Sequence, residues 1–110
     1  MKARIPGANN GGNMMQMVQK MQENMQKVQD EVEASEFSSS AGGGAVEATV
    51  NGKHEILSIK IKPDVVDPDD VEMLEDMVIV AVNEAIRKAS EAMEKGIDQA
   101  KGGLSIPGLF

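Results

Sequence analysis

Asn51-Gly52 lies between two β-prone runs, A-V-E-A-T-V and K-H-E-I-L-S-I-K-I. That pair most readily takes the two left-handed conformations of a type I′ turn, so the stretch from Gly42 to Ile61 predicts a two-residue hairpin. Such a turn fixes the register. Val50 is expected opposite Lys53, Thr49 opposite His54, Ala48 opposite Glu55 and Val46 opposite Leu57, with Ile59 and Ile61 opposite Gly44 and Gly42. Side chains alternate along a strand, so one face gathers Val46, Ala48, Val50, Leu57, Ile59 and Ile61, and the other Glu47, Thr49, His54, Ile56, Lys60 and Lys62. The rest of the chain must cover the apolar face.

Little bulk is available for that cover. The 110 residues include two Phe, no Trp and no Tyr, and the core must come from Val, Ile, Leu, Ala and nine Met. A chain of this size buries a modest core, and a second subunit is the simplest way to dry the remaining apolar stripes. Without cysteine there is no disulfide framework or thiolate nucleophile. The N-terminus lacks the apolar core of a signal peptide, and no run approaches the roughly 20 apolar residues of a membrane span. A cytoplasmic location, with no membrane partner, is expected.

The net charge of -7 argues against a generally basic surface. The acids are unevenly placed, however. Asp64, Asp67, Asp69, Asp70, Glu72, Glu75 and Asp76 stand without a base among them and account for the whole excess. Elsewhere the charges balance, and a local basic surface remains open.

Residues 1–13, rich in Gly and Asn, read as a disordered tail. From Met14 an a/d seam of Met14, Val18, Met21, Met25, Val28 and Val32 predicts a helix, too short to be a free coiled coil and therefore packed on the sheet or on a partner helix. Residues 33–40, with Phe37, suit a short first strand. Gly42-Gly43-Gly44 suit a tight strand connection, since a strand rather than a helix follows and a phosphate cradle needs a helix N-terminus. Asp67-Pro68 reads as N-cap and first helical residue of a second helix, with acids against its dipole. That helix continues to about Ala100 on a stripe of Val71, Leu74, Val78, Ala81, Ala85, Ala89 and Ala92, with Glu84-Lys88 and Glu91-Lys95 at ion-pair spacing. Gly102-Gly103 stops it, leaving residues 102–110 as an apolar tail that would dock on the chain's own sheet, a second protomer or another protein. Residues 14–101 then form one α+β domain in the order α-β-β-β-α.

Catalytic chemistry is not in view. His54 has no nucleophile or acid partner at suitable spacing, and a surface role is expected for it. The methionines lack the Cys or His that would complete a soft metal site, and the acids lack a calcium-loop spacing. No cofactor, metal or small-molecule substrate is expected, and the chain reads as a non-enzyme.

The run M-Q-K-M-Q-E-N-M-Q-K-V-Q-D-E-V, then G-G-G-A-V-E-A-T-V-N-G-K-H-E, then I-K-I-K-P-D-V-V-D-P-D-D-V-E-M-L-E-D-M-V-I-V-A-V-N-E-A-I-R-K-A resembles the YbaB/EbfC family of bacterial nucleoid-associated proteins. The likeness covers about Met14 to Glu94, and the closing P-G-L-F is similar too. It implies a tweezer-like homodimer that binds double-stranded DNA in the nucleoid and influences gene expression, with DNA contacts on the projecting helices. Carried onto this chain, those contacts fall on Lys20, Lys27, Arg87, Lys88 and Lys95. No base-reading helix stands out, so contact with the phosphate backbone and low sequence preference are expected. The alternative is a protein-interaction module that engages a replication or recombination partner through the Met-rich helix and the apolar tail.

Overall fold

A computed structural model describes residues 4–101 of the chain, and within them the side chains of residues 14–101. The elements are α1 (Arg4–Ala34), β1 (Glu36–Ala41), β2 (Val46–Asn51), β3 (Ile56–Ile61), a short 3-10 turn (Pro63–Val65) and α2 (Val71–Lys101). The expected α-β-β-β-α order is observed. α1 begins at Arg4, so it overlaps the stretch read as a tail on composition alone. Pro6 falls in its first turn, where no backbone donor is required. The apolar segment Leu104–Phe110 lies outside the described residues.

The sheet is antiparallel in the order β1-β2-β3, so β2 is central and both neighbours are edges. β1 pairs with β2 from Glu36 opposite Asn51 to Ala41 opposite Val46. The link between them is the glycine run, with Gly42, Gly43 and Gly44 all at positive φ. Other residues rarely adopt that backbone, which explains the three glycines.

The second hairpin corrects the expected register. Val46 lies opposite Ile61, Ala48 opposite Ile59 and Thr49 opposite Ser58. No two-residue type I′ turn forms. Asn51 instead holds a longer loop: its backbone N–H donates to the Glu55 carbonyl, and its Oδ1 accepts from the N–H groups of Lys53 and Glu55 at 2.9 and 3.0 Å. The left-handed residue is His54, at φ 66°, and not Gly52. Gly52 is required for another reason, because a Cβ there would collide with the Val32 carbonyl at the end of α1. A bulge then leaves Leu57 unpaired between Ser58, opposite Thr49, and Ile56, opposite Val50. Because Ile59 and Ile61 move by an even number of places, they keep the predicted face while changing partners.

The start of α2 is also corrected. Asp67-Pro68-Asp69-Asp70 forms a turn, closed by Asp70 N–H to the Asp67 carbonyl at 3.0 Å, with Pro68 at its second position. Asp70 is the cap, its Oδ1 accepting from Met73 N–H at 3.2 Å.

The core is where α2 crosses β2. Val46, Ala48 and Val50 from the strand and Ala81, Ala85 and Ala89 from the helix are fully buried, with Phe37, Ala41, Leu74, Met77, Val78, Val82 and Ile86 packed around them. Small residues on α2 let the helix lie close to the sheet. α2 covers β1 and β2 and leaves β3 to one side. α1 packs along the second half of α2. At their contact, a Cβ added to Gly96 would come within 2.5 Å of Val28 Cγ1, so glycine sets the approach.

Candidate nucleic-acid interface

The two helices reach well beyond the sheet. A helix of 31 residues is about 46 Å long, and the molecule measures 84 × 24 × 16 Å. The end of α1 sits on Gly52, while Ser90 Oγ lies 3.1 Å from His54 Nε2 in the same loop, and Val28 lies beside Gly96. Both helices therefore leave the sheet from this loop, running antiparallel side by side. This bond gives His54 a positioning role between loop and helix that its lone place in the sequence did not signal.

Lys20 and Lys27 are exposed on α1. Seven residues apart, they share one flank about 10 Å from each other along the axis. Lys88 and Lys95 have the same spacing on α2 and are also exposed. Their situations differ. Lys95 points out from the helix surface, whereas Lys88 Nζ donates to the Ser38 carbonyl of β1 at 2.7 Å. Arg87 is turned about 100° around the helix from Lys88. It pairs with Glu84 at 2.9 Å, which takes Glu84 away from the expected Lys88. The five predicted residues thus divide between the helices, Lys20 and Lys27 on α1 and Arg87, Lys88 and Lys95 on α2, with Arg87 and Lys88 engaged within the chain.

The acid-rich stretch lies toward the other end of α2 from Lys95. Asp70 and Lys95 are separated by roughly 37 Å of helix, several times the Debye length of about 8 Å at physiological salt, whereas Asp76 and Lys88 are roughly 18 Å apart. The excess negative charge sits at the sheet end of α2. The outer helices carry acids and bases in near balance, and contacts with a polyanion would be individual ones.

Glutamine and asparagine side chains able to read base edges are partly engaged elsewhere. Gln26 donates to Asp30 at 2.9 Å and Gln29 to Glu33 at 3.1 Å. Among the described residues no group of three or more His, Cys, Asp or Glu is placed to hold a metal ion, and no helix is long and apolar enough to cross a membrane.

The most conspicuous surface was not legible as such in the sequence. Ile59 and Ile61 are each 39% exposed, with Ile56 and Leu57 more so, and Val71, Ile79 and Val80 of α2 are also exposed. Between strand and helix runs a groove of about 430 Å³ lined by Ile61, Leu74, Glu75, Val78 and Ile79. The sequence expectation had Leu57, Ile59 and Ile61 covered. Alternation placed Ile59 and Ile61 on one face correctly, but the bulge takes Leu57 out of that alternation and brings Ile56, expected on the polar face, opposite Val50. Nor did the pattern say that α2 would lie over the other two strands.

This is a helix-flanked three-stranded sheet with two long projecting helices. The chain belongs to the YbaB/EbfC DNA-binding family, whose model matches residues 8–104. It is 55% identical over 104 residues to a nucleoid-associated protein of Alkaliphilus metalliredigens, covering 94% of this chain and 91% of that one. It is 52% identical over 110 residues to a nucleoid-associated protein of Clostridium acetobutylicum, covering 98% of each. The fold is similar to that in the crystal structure of the uncharacterized protein HP0035 from Helicobacter pylori, with a TM-score of 0.58 and 19% identity over 71% of this chain and 90% of that chain. Family and relatives are those of a DNA-binding, nucleoid-associated protein of bacteria, not an enzyme.

Proposed function

We propose that the chain is a nucleoid-associated protein that works as a homodimer and binds duplex DNA through the phosphate backbone with little sequence preference. Membership of a DNA-binding family over nearly the whole chain carries this reading. The basic residues on the projecting helices supply its chemistry. Lys20, Lys27 and Lys95 are exposed phosphate contacts, Arg87 joins them by leaving Glu84, and Lys88 contributes charge from its anchored position.

The second copy covers the apolar face of β3 and the groove beside it. A lone protomer leaves Ile56, Leu57, Ile59 and Ile61 wet along an edge strand, an arrangement that soluble proteins avoid because it invites uncontrolled pairing. A second copy offers the same apolar surface and needs no other partner. Dimerisation also doubles the number of lysine pairs that one duplex can meet. A charge of twice -7 keeps the complex weak and orients it, since the acidic ends must face away from the phosphates.

Titrating a fluorescent duplex at several salt concentrations tests the reading. Log affinity should fall linearly with log salt, with a slope near -0.9 per phosphate contacted. Changing Lys20, Lys27, Arg87, Lys88 and Lys95 to Glu should abolish binding while dimer and fold persist. Undiminished affinity in that variant would contradict the assignment of the contacts.

A further inference from the structure

We propose that the segment Leu104–Phe110 lies back along α1 of its own chain and covers Met14, Met17 and Val18. The apolar seam of α1 is half-buried at Met21, Met25, Val28 and Val32, where α2 accompanies it, and exposed at Met14, Met17 and Val18. Met14 and Met15 are 61% and 68% exposed. A shallow depression of about 240 Å³ lined by Met14, Met15, Val18 and Gln19 marks the same place. The seam therefore continues past the end of its cover.

The geometry says how far. With Val28 beside Gly96 and the helices antiparallel, Lys101 comes level with α1 about five residues before Val28, roughly 7.5 Å along the axis. Met14 is about 21 Å from Val28, which leaves roughly 13 Å of seam beyond Lys101. The next residues are G-G-L-S-I-P-G-L-F. Two glycines allow the chain to leave a helical path, and nine residues can extend to about 30 Å, more than twice the distance required. Leu104, Ile106, Leu109 and Phe110 then supply apolar groups where the seam lacks them. Methionine suits such a contact, because its unbranched side chain repacks around an irregular partner.

The absence of native cysteine permits a direct test on the full-length chain. A nitroxide is attached through Ser105→Cys, and the methyl signals of isotope-enriched methionines are recorded. The Met14, Met15 and Met17 signals should lose more than half their intensity, while Met73, about 42 Å from Lys101 along α2, keeps its own. Uniformly retained signals on α1 would overturn the proposal. So would equal attenuation in a mixed dimer of spin-labelled, unenriched chain with enriched, unlabelled chain, since the segment would then cover a second copy. Adding Leu104→Ser, Ile106→Ser, Leu109→Ser and Phe110→Ser should restore the α1 signals, and persistent attenuation would show that apolar contact is not what holds the segment. None of these readouts requires DNA, so they stand apart from the binding function.

Discussion

The two edges of the sheet are built the opposite way from what a lone chain would favour. β1, E-F-S-S-S-A, is mostly polar, yet α2 lies over it and Lys88 reaches its outer carbonyl at Ser38. β3, I-L-S-I-K-I, is mostly apolar, yet it stands open. Ser38 also shares a hydrogen bond with buried Thr49 at 2.7 Å, which satisfies that hydroxyl. The contrast teaches that the helix spends its small-residue face on β1 and β2 and leaves the apolar edge uncovered within the protomer.

The largest expected difference comes from placing a charge in each region. Val46→Asp puts an unpaired carboxylate into a fully buried site, and its cost of several kcal/mol is comparable with the whole stability of a small domain. Circular dichroism should show an unfolded chain. Ile59→Asp on the open strand should leave a folded protomer that no longer pairs, seen as halved mass in sedimentation. If Ile59→Asp sediments as the wild type does, β3 is not the shared surface.

Smaller effects sharpen the picture. Gly52→Ala forces the end of α1 off the hairpin loop and should cost about 1–3 kcal/mol in urea unfolding, in the range of mutations that strain a packed backbone. Asp70→Ala removes the cap of α2 and should cost about 1 kcal/mol. Lys88→Met and Lys95→Met divide structure from function. Losing the bond to Ser38 should lower stability by about 1 kcal/mol. Lys95→Met should change stability by less than about 0.5 kcal/mol and reduce the salt slope of DNA binding by about 1. Equal stability losses in the two variants would show that the β1 edge does not depend on Lys88.

Much of the architecture was readable in the residues. Period-2 alternation gave β2 and β3, and a 3.6-residue stripe gave α2, because both patterns record which side of an element faces apolar neighbours. Turn chemistry was read less well. Asn51-Gly52 has the local preference for a tight turn, but the Asn51 side chain and the approach of Val32 to Gly52 decide the loop, and the second of these is a tertiary contact. The same holds for the candidate interface. Lys20, Lys27, Arg87, Lys88 and Lys95 followed from the family resemblance, whereas the engagement of Lys88 with Ser38 crosses 50 residues of sequence and leaves no local trace.

Sedimentation equilibrium of the purified full-length chain at micromolar concentration probes the shared β3 surface most directly. A single species of twice 11.7 kDa that becomes 11.7 kDa on Ile59→Asp is the predicted result. A wild-type chain that stays at 11.7 kDa, with β3 as open in solution as on the isolated protomer, would contradict it.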